Sequence, residues 1–115
     1  MYGLLEEAAT RACRYLEEVS KRSVAPDPAA VQSLRELDHP LPEQAGDPAR
    51  TIALLDRLVS PATMGMAGPR FFGFVIGGSL PVAVAANWMA TAWDQNAALY
   101  ERTPGVAHLE EVALR

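Results

Sequence analysis

An aspartate or threonine followed directly by proline occurs three times in this chain, at Asp27-Pro28, Asp47-Pro48 and Thr103-Pro104. A short oxygen-bearing side chain at a helix N-cap accepts a hydrogen bond from the first turn. Proline is tolerated at the next position because its missing N–H has no intrahelical partner. Each pair therefore predicts a helix start. The 115 residues are 50% hydrophobic but only 7% aromatic, which favours packed helices over a β-sandwich. The sequence predicts a mainly α fold of about five helices.

Apolar residues recur with helical spacing in three segments before Pro61. The first predicted helix runs from Leu4 to Val19, and its apolar face comprises Leu5, Ala8, Ala12, Leu16 and Val19. The second is short and follows Asp27, with Val31, Leu34 and Leu37 on one face. The third follows Asp47, is expected to close at Ser60-Pro61, and carries the stripe Ile52, Leu55, Leu58 and Val59. Each helix has one face to bury and little core of its own, which is typical of a segment that packs against a partner.

The second half of the chain begins with a predicted long loop from Thr63 to Ser79, and loops of that length are commonly functional. Alternation within residues 72–76 allows a short extended piece there. Ser79 is expected to cap a fourth helix that runs to about Tyr100. A final helix after Thr103-Pro104 reaches the end of the chain with no C-cap glycine and no terminating proline. We therefore expect the chain to be an N-terminal fragment of a longer protein.

Composition and charge exclude several function classes. The formal net charge of −4 gives no reason to expect nucleic acid or an anionic membrane as a partner. The longest apolar run, Val82 to Trp93, is interrupted by Asn87 and is too short to span a bilayer. Glu6 and Glu7 interrupt any N-terminal signal, so a cytoplasmic location is expected. Cys13 is the only cysteine, which excludes a disulfide framework and indicates a small, partly buried core residue.

The most informative motif is GPRFFGFVIGGSLP, residues 68–81, which contains all three phenylalanines of the chain. Glycine lets the backbone adopt positive φ and approach another surface closely. Aromatic side chains beside such a backbone either wall a pocket or fill a core. An alanine-rich helix follows the motif at once and ends in the polar sequence WDQN, residues 93–96.

These residues resemble the N-terminal part of the pyridoxal-phosphate-dependent decarboxylases of the aromatic-amino-acid and glutamate decarboxylase group. Bacterial members carry a similar phrase, which stands here as Pro69–Phe74, Gly77-Gly78, Pro81, Ala85–Trp88 and Trp93–Asn96. The likeness is dense from residue 68 to the end of the chain. Before residue 61 only helix pattern and length agree.

The resemblance implies the helical N-terminal segment of a fold-type-I enzyme that removes carbon dioxide from a small amino acid with pyridoxal 5′-phosphate. Residues 1–61 would form a helical dimerisation arm that packs on a homodimer partner. Residues 62–79 would form a substrate-pocket loop, and residues 80–115 would lead into the large cofactor-binding domain. An aminotransferase or another lyase on the same scaffold is not separated from a decarboxylase by this segment.

By position, the resemblance implies that the substrate-binding residues are Phe74, Val75, Ile76, Gly77, Gly78, Ser79 and Asn96. A helix N-terminus near Gly78 and Ser79 favours anions, which suits a substrate carboxylate. The animal aromatic decarboxylases carry Tyr-Phe-Pro-Thr where this chain has residues 74–77, and the spacing to the downstream proline differs by one residue. The pocket here would be more apolar, so the substrate does not follow from the family.

The chain lacks the group that the resemblance requires for catalysis. Such an enzyme holds its cofactor as a Schiff base on a lysine. The only lysine, Lys21, lies on the charged face of the first helix and outside the Ser-x-x-x-His-Lys setting that the family uses. No catalytic residue and no metal spacing is therefore assigned, and His39 and His108 have no triad or metal partner at a suitable spacing.

Structural interpretations stand beside the functional ones. Phe71, Phe72 and Phe74 could simply be core, and Ser79 merely a cap. Asp94 and its neighbours could serve only to end a helix, and Tyr100 could be a core or interface residue. The whole chain could also be a stand-alone helical interaction module with no cofactor.

Overall fold

The computed structural model describes residues 2–115, and the chain divides into two compact units, Met1–Gly78 and Ser79–Arg115. Helices account for 57% of the chain. No β-strand occurs among residues 2–115. The predicted mainly α fold of about five helices with one long loop is confirmed.

The first unit contains three α-helices and one short 3₁₀ helix. Helix α1 spans Tyr2–Glu18, α2 spans Pro28–Ser33, the 3₁₀ helix spans Leu34–Leu37, and α3 spans Pro48–Ala62. Helix α3 packs against the other three elements, so it is the central element of this unit.

The core of the first unit is small. Leu58 on α3 is 2% exposed and Val19, just after α1, is 6% exposed. Most other residues of the predicted apolar faces are only half-buried, and Leu5, Val31 and Leu55 are exposed. The pattern therefore predicted the correct faces, but three short amphipathic helices bury only the middle of each stripe.

Two of the predicted helix starts are confirmed in atomic detail. Asp27 accepts a hydrogen bond from the Ala29 N–H at 2.7 Å, and Asp47 accepts one from the Ala49 N–H at 3.0 Å. The predicted end of α3 was wrong, because Pro61 lies inside its last turn rather than closing it. A proline there removes only one hydrogen bond, and its fixed φ remains compatible with a helix.

The second unit contains α4, Pro81–Trp93, and α5, Pro104–Ala113. Two predictions were wrong here. The N-cap of α4 is Leu80 rather than Ser79, and α4 ends seven residues before Tyr100. It ends because Asp94 adopts the left-handed conformation, with φ of 48°, which cannot continue a right-handed helix. The start of α5 at Pro104 is confirmed, but the Thr103 side chain donates to the Leu99 carbonyl at 3.0 Å instead of capping α5.

No described helix is long and apolar enough to cross a membrane.

Cys13 lies on the exposed face of α1. The prediction that it is partly buried was therefore wrong. The neighbouring α1 positions that face α3 are Ala12 and Leu16, so Cys13 falls one residue outside the buried stripe.

Candidate functional site

The loop that follows α3 makes a sharp turn at Phe74 and Val75, whose φ angles are 57° and 55°. Two consecutive non-glycine residues in the left-handed region are unusual, and a β-branched valine there is a genuine outlier. The short extended piece expected over residues 72–76 is therefore wrong, because the backbone reverses at its centre. Strain of this kind costs about 1–3 kcal/mol per residue and tends to cluster at functional segments.

The side chains of this turn point outward. Phe72 is 92% exposed, Phe74 is 75% exposed, Val75 is fully exposed and Ile76 is about half exposed. The core interpretation of Phe72 and Phe74 is therefore wrong in the described units. Phe71 differs, because it is half-buried and its ring lies 5.9 Å from that of Phe74 at a tilt of 43°.

Gly73 and Gly78 of the motif are required by the local structure, whereas Gly77 is not. A Cβ on Gly73 would lie 3.0 Å from Cζ of Phe71, so the bare backbone lets the Phe71 ring fold over it. Gly78 has φ of 74°, a conformation that other residues rarely adopt. Gly77 has open space around its Cα and a φ that any residue can adopt.

The predicted substrate-binding residues divide between the two units. Phe74, Val75, Ile76, Gly77 and Gly78 form one continuous exposed loop at the end of the first unit. The other two, Ser79 and Asn96, belong to the second unit and are also exposed.

The polar sequence after α4 is used for local hydrogen bonding. Asp94 is the left-handed C-cap of α4, and Gln95 Nε2 donates to the Trp93 carbonyl at 2.7 Å. Asn96 Oδ1 accepts from the Ala98 N–H at 3.0 Å, and the Asn96 carbonyl accepts from the Thr103 hydroxyl. These contacts bear out the helix-ending interpretation of Asp94 and give Asn96 a structural role in the connection to α5.

Arg22, which the sequence did not point to, makes several hydrogen bonds that join the end of α1 to the end of α3. Its guanidinium donates to the carbonyl oxygens of Ser60, Pro61 and Thr63 at 3.1, 3.4 and 2.9 Å. It also lies 5.2 Å from the centre of the Tyr15 ring. A cation bound to the last carbonyls of a helix stabilises its negative end, so Arg22 stabilises the C-terminus of α3, whose C-cap residue is Thr63. No local sequence pattern marks Arg22, because the carbonyl groups that it binds lie about forty residues away along the chain.

Arg70 of the FF motif also has a structural role. Its guanidinium donates to the carbonyl of Ser20 at 3.1 Å and to the carbonyl of Arg22. Both carbonyls lie in the turn just after α1, so Arg70 ties the base of the loop to that turn. The exposed turn at Phe74 and Val75 is thereby held only four residues from a fixed point.

An ion network joins α1 to α3. Asp56 accepts from Arg11 at 2.6 Å, from Arg14, and from the Ser60 hydroxyl at 3.0 Å, while Arg11 also binds Glu7 at 2.6 Å. Burial is the largest single influence on the pKa of Asp56 and raises it. The hydrogen bonds from Arg11 and Ser60 and the charges of both arginines outweigh it, so the pKa lies below its ordinary value.

An open cavity of about 560 Å³ lies between the C-terminal halves of α1 and α3. Arg14, Arg22 and Arg57 line it, but so do the carboxylates of Glu18 and Asp56. Arg14 pairs with Asp56, Arg57 pairs with Glu36 at 3.0 Å, and Arg22 binds the C-terminal carbonyls of α3. The charges of this cavity are thus largely satisfied within the protein.

Lys21, the only lysine of the chain, is exposed at the turn after α1. Within the part of the chain that the structure describes, no three acid, cysteine or histidine side chains are grouped closely enough to bind a metal ion. His39 is exposed, and His108 is exposed beside Glu111 at 3.6 Å.

Comparison with known proteins finds no match among protein-family models, curated proteins or solved structures.

Proposed function

We propose that this chain is the N-terminal part of a pyridoxal-phosphate-dependent amino-acid decarboxylase. In this role it contributes contacts to a homodimer partner and lines part of the pocket for a small amino-acid substrate. The proposed substrate-binding residues are Phe74, Val75, Ile76, Gly77, Gly78, Ser79 and Asn96. The observation that carries the proposal is the exposed apolar turn at Phe74 and Val75 on a loop whose base is fixed by Arg70.

The physical argument concerns how apolar side chains are presented. Apolar side chains on a mobile loop lose conformational entropy when they bind another surface. On an anchored, strained turn the same side chains are already ordered, so this cost of binding is smaller. Phe74 and Ile76 would supply apolar contact to the substrate side chain. Gly78, which has no Cβ, adopts the positive φ that the backbone needs just after the turn.

In this proposal the lysine that would hold the cofactor is not on this chain. Because Lys21 is exposed and is the only lysine, the Schiff-base lysine and the phosphate site would lie in a further domain of the same polypeptide. The chain alone is then inactive, and the complete enzyme is a cytoplasmic dimer of amino-acid metabolism that binds pyridoxal 5′-phosphate.

The test is to express the complete open reading frame that contains this chain and to measure carbon dioxide release from amino acids with and without pyridoxal phosphate. We expect cofactor-dependent release, and we expect Phe74→Ala to raise the KM at least about tenfold, as for a lost apolar contact of about 1.4 kcal/mol. Leu41→Ala is the matched control, since Leu41 is 95% exposed and outside the loop. A reading frame that ends at Arg115, or an equal effect of both substitutions, contradicts the proposal.

A second candidate is a stand-alone helical interaction module. The contacts of α3 with α1 and α2 and the burial of Leu58 favour it, because they give this unit a small core of its own. Thermal unfolding of the isolated chain separates the two. A sharp cooperative transition of a clean monomer supports the module, whereas association or broad unfolding supports the fragment.

A further inference from the structure

The connection between the 3₁₀ helix and α3 is the longest fully exposed stretch of the first unit. Every residue from Asp38 to Pro48 is exposed, and Leu41 is 95% exposed. Among the described residues, no backbone N–H of residues 40–46 donates to a backbone carbonyl. The segment is nevertheless fixed at both ends, because the Asp38 N–H bonds to the 3₁₀ helix at 3.0 Å and Asp47 caps the start of α3. A tethered segment thus displays an apolar side chain and an unpaired backbone.

Two prolines, Pro40 and Pro42, restrict the backbone of this segment. A proline ring fixes φ at about −65° and pushes the preceding residue out of the helical region into an extended conformation. His39 and Leu41 each precede a proline, so four consecutive residues are biased toward polyproline II. That conformation has no internal hydrogen bonds, which agrees with their absence at residues 40–46. Because the segment is extended before it binds, a partner loses little affinity in ordering it.

The negative charge of the chain is concentrated in the same segment. Between Arg35 and Arg50 there are four acidic residues and no basic one. The whole chain has 14 acidic side chains and 10 lysines and arginines, so the rest of the chain carries ten of each and is neutral. Two of the four acids are used within the protein, at the α3 N-cap and in the ion pair with Arg57. Asp38 and Glu43, which flank the prolines, are exposed and make no ion pair among the described residues.

The composition of residues 36–49 argues against other recurring ways in which proteins recognise a peptide segment. The segment contains no Ser, Thr or Tyr, so it offers no phosphorylation site for an arginine cluster to bind. Its prolines are incompatible with an amphipathic helix in a groove, and they remove two N–H groups that addition to a sheet edge would use. The mode that fits is recognition of an extended proline segment by a groove lined with aromatic side chains.

We propose that residues 38–47 are a docking segment for a partner protein that has an aromatic-lined groove with a basic rim. The two prolines would lie against the aromatic side chains, and Leu41 would fill the hollow between them. Asp38 and Glu43 would pair with lysine or arginine side chains at the rim, which gives specificity for a basic groove. The proposal does not depend on the decarboxylase assignment, because the candidate substrate-binding residues lie elsewhere in the chain.

The experiment is a nuclear magnetic resonance titration of the full isotope-labelled chain with purified SH3, WW and EVH1 domains, chosen in pairs with a basic and an acidic groove rim. We expect saturable shifts confined to residues 36–49, with tighter binding to the basic member of each pair. Pro42→Ala should raise Kd at least about tenfold, because it removes a ring contact and loosens the backbone before binding. Pro69→Ala makes the same change at an exposed proline outside the segment and should leave Kd unchanged. Circular dichroism verifies that each variant keeps its helix content.

The charged rim is tested separately. Glu43→Gln should weaken binding by about two- to fivefold and reduce its salt dependence, because an exposed ion pair is modest and screened. Glu110→Gln, at an exposed position of α5, is the matched control. Failure of every basic-rimmed domain to bind, a preference for acidic rims, or shifts centred outside residues 36–49 would overturn the proposal. So would an equal effect of Pro42→Ala and Pro69→Ala, and residues 38–47 would then be only a connection between helices.

Discussion

The Arg22 guanidinium donates to both oxygens of Thr63, the backbone carbonyl at 2.9 Å and the side-chain hydroxyl at 2.8 Å. The same hydroxyl lies 2.9 Å from the Tyr15 hydroxyl. One arginine after α1 thus fixes the residue that ends α3. This relationship holds the two main helices of the first unit in register at their C-terminal ends.

Replacement of Arg22 by alanine should destabilise the first unit by about 2 kcal/mol, since it removes charge-assisted hydrogen bonds and leaves carbonyls of the last α3 turn without donors. Chemical denaturation followed by circular dichroism measures the change. Lys21→Ala is the matched control, because Lys21 is the neighbouring exposed cation. Equal stability of the two variants would show that Arg22 does not stabilise the C-terminus of α3.

Replacement of Arg70 by alanine should loosen the loop at residues 71–76 and lower stability by about 1 kcal/mol, the usual net contribution of a hydrogen bond. The main readout is faster amide exchange and faster chymotrypsin cleavage at residues 71–76. Arg50→Ala, at an exposed position of α3, should change neither rate. Unchanged cleavage in the Arg70 variant would remove the anchored-loop argument.

Acid should weaken the contact between α1 and α3 through Asp56. Its pKa in the folded state is lowered, so its contribution is complete above the unfolded-state value of about 3.9 and is lost as the pH falls through the folded-state pKa. Asp56→Asn should be less stable than the unmodified chain at pH 7, and this difference should shrink below about pH 4. Denaturation at several pH values measures it, and the exposed Asp38→Asn serves as the control. A stability difference that stays constant down to pH 2 would contradict the assigned role.

Replacement of Val75 by glycine should leave the first unit as stable or stabilise it by up to about 1 kcal/mol. Glycine relieves the left-handed strain, and the gain is partly offset by its greater freedom in the unfolded chain. No packing is lost, because the Val75 side chain is fully exposed. Ile76→Gly has no such strain to relieve and should destabilise. Thermal unfolding compares the pair, and a clear loss of stability in Val75→Gly would contradict the turn geometry.

The two adjacent glycines of the motif provide a matched comparison. Gly78→Ala should destabilise by about 1–2 kcal/mol, because alanine is strained at φ of 74°. Gly77→Ala should be neutral or slightly stabilising, since it meets nothing within 4 Å and does not require positive φ. Denaturation of the two variants in parallel measures the difference. A larger loss of stability in Gly77→Ala than in Gly78→Ala would show that the positive φ belongs to Gly77.

The helical class and most helix starts follow from the amino-acid sequence, because these features depend on local chemistry. The carboxylates of Asp27 and Asp47 reach N–H groups only two residues away, so no distant contact is needed to specify them. Helix ends were predicted less well. The positive φ of Asp94 that stops α4 has no cue as strong as a glycine, and the Pro61 that usually stops a helix was accommodated in α3.

The contacts and exposure of Arg22, Arg70 and the phenylalanines depend on the folded chain and not on local sequence. Arg22 and Arg70 find their carbonyl partners about 40 and 50 residues away, which helical spacing cannot reveal. The exposure of Phe72 and Phe74 accompanies the reversed backbone at Phe74 and Val75, whereas the sequence alone left both pocket and core open for these side chains. Local hydrogen bonds fix where helices begin, and long-range contacts and backbone reversal fix which side chains remain available for binding.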